Sequence, residues 1–193
     1  LSTCIDPSIA VKYPELSLKP GRERALLQRH PWVFSGALVP DAGLQVPEGA
    51  VVALRSAGGD LLGVGHWAPN SPLRVRMLAF GAEAEGLTVD DAVFEERIES
   101  AWLLREEWIA REGTTGFRLI NAEGDRLPGL TVDVYDDTAV VQVRTVGMLQ
   151  ALKPLVAYLK GQGLRRVYQK AEAHEMPERG HQASESVSGS NAA

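Results

Sequence analysis

Four cations stand close together near the start of this chain: Lys19, Arg22, Arg24 and Arg29, with Glu23 the one opposing charge among them. Ammonium and guanidinium groups at that density can neutralise several phosphates, with an attraction that fades as salt rises. Trp32 and Phe34 follow at once, and rings beside a cationic stretch can stack on unpaired bases at about 1–3 kcal/mol per base. Gly21 sits in the turn after Lys19, and His30 links Arg29 to Pro31. Farther on, Arg74 and Arg76 alternate with Val75 and Met77, which predicts that both arginines share the solvent face of a strand. The candidate nucleic-acid contacts are therefore Lys19, Gly21, Arg22, Arg24, Arg29, His30, Trp32, Phe34, Arg74 and Arg76. Plainer readings compete. Trp32 and Phe34 suit a core better than a stacking surface, the arginines fit an ordinary solvated helix face equally well, and His30-Pro31 can simply stop a helix.

Other chemistries find little support. His174 and His181 flank Glu175 and Glu178 in a polar tail, whereas structural zinc needs four preorganised ligands; no metal is expected. Serines are plentiful, but no Gly-X-Ser-X-Gly elbow occurs. Gly63 and Gly65 fall inside a strand candidate and Gly161 and Gly163 end a helix, so neither pair forms the strand-to-helix turn of a dinucleotide-type site. Asn70-Ser71-Pro72 reads as a turn. No catalytic or cofactor-binding residue is assigned.

The elements that must position the cationic stretch follow from periodicity. At 193 residues, with 45% hydrophobic and 23% charged, the chain suits one large domain or two small ones. No stretch reaches the ~20 apolar residues of a membrane helix, and the single cysteine fits a reducing, cytoplasmic setting. The net charge of −5 is unevenly spread: residues 16–80 and 117–170 carry +3 each, while residues 83–113 carry −7. Local charge governs contact with phosphates, so the overall sign decides little.

Residues 1–15 read as an N-terminal arm. Residues 16–82 form a β-rich unit: a short strand from Leu16, a turn at Pro20-Gly21, a helix over Arg22–Arg29, an extended Trp32–Phe34, and strands at Val51–Arg55, Leu61–Trp67 and Leu73–Phe80. Residues 83–116 are an acidic helical connector, with Phe94, Ile98, Ala101, Trp102, Trp108 and Ile109 as an apolar stripe over 89–112. Residues 117–170 make a small α+β domain in the order strand-strand-strand-helix-strand. Asp125, Asp133 and the Leu127-Pro128-Gly129-Leu130 type II turn there fix hairpin geometry. From 171 to 193 the composition predicts disorder.

Leu18-Lys19-Pro20-Gly21-Arg22-Glu23-Arg24-Ala25-Leu26-Leu27, with Arg29-His30-Pro31-Trp32-Val33-Phe34-Ser35-Gly36-Ala37 after it, resembles the opening of the large-subunit ribosomal RNA cytosine-5 methyltransferases that carry an N-terminal PUA domain. Phe117-Arg118-Leu119-Ile120-Asn121-Ala122-Glu123-Gly124-Asp125 and Leu127-Pro128-Gly129-Leu130-Thr131-Val132-Asp133 resemble the central domain of that family. The likeness covers residues 16–170. It implies an α+β chain: a PUA-like RNA-binding pseudobarrel, a long helix, a small α+β domain, then a Rossmann-like S-adenosylmethionine domain. The partner it implies is ribosomal RNA, and the complete family protein would use S-adenosylmethionine.

This sequence departs from the family pattern after Lys170, where a polar tail replaces the connector; a premature stop, a shifted frame or deliberate truncation would explain that. Cytosine C5 methylation needs a thiolate nucleophile. The only thiol, Cys4, has no basic residue before Lys12 to lower its pKa, so the chain alone is expected to bind RNA and transfer nothing. A non-catalytic PUA-type adaptor in translation or ribosome assembly is the rival reading.

Overall fold

The computed structural model describes residues 13–40 and 45–170. The arm with Cys4 and the tail with His174 and His181, including the expectation of disorder from residue 171, lie outside the described residues, as does the side chain of Trp108.

Two sheets form the frame. The first has the order β1-β3-β4-β5-β2, from β1 (Glu15–Ser17), β2 (Trp32–Phe34), β3 (Val51–Arg55), β4 (Leu61–Trp67) and β5 (Leu73–Phe80). Strand β1 runs parallel to β3, and the other pairs are antiparallel. Strands β4 and β5 approach so closely that a Cβ on Gly63 would lie 2.2 Å from the Ala79 carbonyl oxygen, and one on Gly65 2.5 Å from that of Arg76. These glycines serve backbone approach, as their place inside a strand implies. Leu18, Leu26, Val33, Leu54, Trp67, Val75 and Met77 fill one core of this sheet.

The helix expected over Arg22–Arg29 shortens to a single turn, α1 (Arg24–Leu27). Gly21 is left-handed (φ 76°) at its start and Arg29 (φ 61°) at its end. The Arg29 and His30 N–H groups cap it by donating to Leu26 and Ala25 carbonyls at 2.8 and 2.9 Å.

Helix α2 (Asp91–Glu112) begins two residues later than its apolar pattern predicts, because Asp90 caps it by accepting from the Ala92 and Val93 N–H groups. Gly113, left-handed, closes it. Phe94, Ile98 and Ala101, one face at helical spacing, are buried in a core shared with the second sheet and with Leu78 of β5. The helix is thus packed between the two sheets. Arg97, on the same helix, is buried too; its guanidinium donates to the Leu78 carbonyl at 2.8 Å and to the Arg126 carbonyl at 2.7 Å. Burial first, then the Arg126 charge, lowers its pKa to about 10, so it stays charged.

The second sheet runs β6-β7-β8-β9, from β6 (Gly116–Asn121), β7 (Leu130–Tyr135), β8 (Thr138–Val143) and β9 (Arg166–Lys170), with α3 (Leu152–Gly161) between the last two. Strands β8 and β9 are parallel, and α3 supplies the crossover that a parallel pair needs. This is the strand-strand-strand-helix-strand order read from the sequence. The Leu130 N–H donates to the Leu127 carbonyl at 2.9 Å around left-handed Gly129, the expected tight turn. Asp125 pairs with Arg105 and accepts from the Asn121 N–H, and Asp133 pairs with Arg118; both carboxylates act on local geometry.

Candidate nucleic-acid interface

Lys19 is tied into the fold: its N–H donates to the Ala37 carbonyl at 2.8 Å and its Nζ to the Gly36 carbonyl at 3.0 Å. These bonds bring the turn at Gly21 beside residues 35–37, which directly follow Phe34. Arg22 and Arg24 project from that turn and from α1, exposed and without an acidic partner among the described residues. Glu23, between them, is turned away to accept from the Ala57 N–H at 3.2 Å. Its own backbone N–H first, then that of Ala57, holds its carboxyl below the usual range. The one acid within the cationic stretch is thereby directed at the β3–β4 turn.

Trp32 is 40% exposed and Phe34 49%, while Val33 between them is buried. The core placement favoured for the two rings is corrected: β2 is an edge strand, and alternation puts Val33 inward and the rings on its uncovered side. His30 stands edge-on to Trp32, ring centroids 6.0 Å apart at 81°, and its Nδ1 accepts from the Trp32 N–H at 3.2 Å.

The remaining arginines are not freely solvated. Register pairs Trp32 with Arg76. The Trp32 indole N–H donates to Glu123 at 2.9 Å, and Arg76 lies 3.5 Å from the same carboxylate oxygen. Arg74 stands 5.9 Å from the centroid of the Trp67 ring. The expected solvent face of Arg74 and Arg76 is therefore corrected to half-buried: the turn at Ala122–Asp125 packs beside Arg76, and Arg74 lies against the Trp67 ring. Arg29 donates to both oxygens of Glu83 at 2.8 Å and lies 5.2 Å from the Phe80 ring centroid. The Arg29 hydrogen bond is the main reason the Glu83 carboxyl is held below its ordinary range.

The candidate residues thus divide into open cations (Arg22, Arg24), open rings (Trp32, Phe34) and cations held by a carboxylate (Arg29, Arg76). A phosphate can engage the first directly and must displace Glu83 or Glu123 to reach the last. Neither glutamate, nor the buried pair His66 and Arg97, stands out in the sequence, since each acquires its role through contacts distant along the chain. The cleft between α2 and α3, lined by Glu95, Glu96, Glu99 and Tyr158, would repel a polyanion.

Among the described residues no group of three or more His, Cys, Asp and Glu is placed to hold a metal, and no helix is long and apolar enough to cross a membrane. The glycine pairs within β4 and at the end of α3 lie at no strand-to-helix turn, so neither pair fits the glycine-rich turn of an S-adenosylmethionine site.

A curled five-stranded sheet with a short helix near its start is the architecture that comparison with known families resolves. Residues 16–80 match the PUA-like domain family. The chain is 40% identical over 147 residues to ribosomal RNA large subunit methyltransferase I of Pseudoalteromonas atlantica, covering 76% of this chain and 36% of the relative. It is 42% identical over 132 residues to the protein of the same name from Shewanella denitrificans, covering 68% of this chain and 32% of the relative. The chain thus spans about a third of the length of these homologues. Among solved structures, a Streptococcus mutans protein classed as a SAM-dependent methyltransferase superposes with a TM-score of 0.68 at 19% identity, over 81% of this chain and 40% of that one. A methyltransferase-class protein complexed with SAH matches equally well. At that identity the likeness shows the fold: the PUA-like domain and the α+β unit after it recur together.

Proposed function

We propose that this chain is the RNA-binding portion of an S-adenosylmethionine-dependent ribosomal RNA 5-methylcytosine methyltransferase, and that it positions ribosomal RNA in the cytoplasm for a catalytic domain beyond the described residues. The observation that carries the reading is the pairing of unopposed Arg22 and Arg24 with the exposed rings of Trp32 and Phe34 on one PUA-like domain. The names of the homologues supply the target class, ribosomal RNA, and the methyl-transfer context. The arginines would neutralise phosphates and the rings would stack on unpaired bases, a combination suited to RNA loops and ends. S-adenosylmethionine would supply the methyl group in the complete protein, while residues 13–170 bind and orient the RNA.

Charge reversal tests it. Arg22→Glu with Arg24→Glu should weaken binding to a structured ribosomal RNA fragment at least tenfold. It should also lower the slope of log affinity against log salt by about two, one for each lost phosphate contact. Fluorescence anisotropy over a salt series reads both quantities, and unchanged affinity rejects the surface.

A further inference from the structure

Among the described residues, the second sheet is covered on one side only. Phe117, Val132, Val134, Ala139, Val141 and Val167 face the core beneath α2 and α3. Register fixes what stands on the other side. Arg118 pairs with Asp133, Asp133 with Val140, and Val140 with Tyr168; Tyr135 pairs with Thr138, and Thr138 with Arg166; Gln142 pairs with Lys170. Side chains at paired positions share a face, so these residues form one open surface.

Two features mark that surface. Tyr135 is 58% exposed and Tyr168 52%, two flat rings on strands separated by one other. Strand spacing and rise place their Cα atoms about 12 Å apart, room for a nucleotide between two stacked bases. The balance of charge is positive: the three cations Arg118, Arg166 and Lys170 stand against two carboxylates, Asp133 in these rows and Asp137 at the rim. Asp133 accepts from Arg118 at 2.8 and 3.0 Å and lays its guanidinium across the strands; Arg166 lies 3.5 Å from Asp137 at the rim. Val140 is the one aliphatic residue in these rows and is only half-buried. A face meant to be sealed by protein would carry an apolar centre depleted of charge. Exposed rings among cations on a four-stranded sheet are how single-stranded RNA is gripped.

We infer that the open face of the second sheet, through Tyr135, Tyr168, Arg118 and Lys170, is a second RNA-contact surface that takes a single-stranded segment of the RNA held by the PUA-like domain. It rests on the RNA-binding reading above and adds a separate site. Sequence-tolerant stacking makes this face a grip on unpaired nucleotides, while Arg22 and Arg24 act on backbone phosphates.

The test uses the whole chain and two probes: a labelled single-stranded RNA of mixed sequence and a labelled RNA hairpin without overhangs. Tyr135→Ala with Tyr168→Ala should lower affinity for the single strand at least tenfold, change hairpin binding less than threefold and leave the salt slope unchanged. Tyr135→Phe with Tyr168→Phe, which keeps both rings, should bind like wild type. Circular dichroism and thermal melting confirm that the variants fold, which these exposed positions favour. Full affinity in the alanine pair overturns the inference, whether that face then docks the rest of a longer chain or a second copy. Equal loss for both probes overturns it as well. If the alanine pair weakens single-strand binding while Arg22→Glu with Arg24→Glu changes nothing, the PUA-like surface fails and this one stands.

Discussion

The backbone of Gly147 lies against the ring of buried His66, so close that a Cβ on Gly147 would sit 2.3 Å from the His66 Cγ. Strand β4 of the PUA-like sheet thereby meets the turn ahead of α3, and Gly49 extends the same seam, where a Cβ would lie 2.7 Å from the Gly147 nitrogen. Two units that the sequence presents separately are joined here, at backbone distance.

That closeness makes Gly147→Ala destabilising. The methyl would meet a buried ring that already packs near Phe94, centroid to centroid 6.4 Å, so neither partner can move cheaply. The expected cost is about 1–3 kcal/mol, the range for overpacking a tight interior, read as a lower midpoint in urea denaturation. A wild-type midpoint would mean the seam opens without penalty.

His66 also makes the protein sensitive to acid. Both ring nitrogens are buried without a hydrogen-bond partner among the described residues. Burial first, and the Arg97 charge second, push its pKa from 6.5 down to about 4. Between those values the unfolded chain holds a proton that the folded chain refuses. Stability therefore falls as pH drops from about 6.5 toward 4, by about 3 kcal/mol in full, and is insensitive to this group above about pH 7. Urea denaturation from pH 7.5 to 4.5 should show a steeper loss for wild type than for the non-titrating His66→Leu. Parallel curves would assign the acid sensitivity to the carboxylates instead.

Glu83 competes with any phosphate for Arg29, and it lies 3.8 Å from Arg126 as well. Glu83→Gln removes the opposing charge and should raise RNA affinity about threefold to tenfold at low salt, with a smaller gain at high salt. Stability should change little, because the pair is exposed. Anisotropy on the variant decides the matter: weaker binding would show that Glu83 holds Arg29 in its working position.

Most secondary structure was legible because its signals are local. Alternation marked β5, β7 and β8, Pro128-Gly129 marked a turn, and the spacing of Phe94, Ile98 and Ala101 marked the buried face of α2. The exposed state of Trp32 and Phe34 was not legible, since period-two alternation says that two rings share a side and never which side is covered. The half-burial of Arg76 was hidden for the same reason: it depends on Glu123, 47 positions away in the chain.

By itself, the order of residues determined which segments form strands and helices, where the positive charge lies along the chain, and that Arg22 and Arg24 share a short cationic turn. Only tertiary packing decided, among the described residues, which cations remain open, which are claimed by Glu83 and Glu123, and which face of the second sheet stays bare. Propensity and periodicity act over a few residues, whereas burial and charge pairing are settled by whatever the folded chain brings alongside.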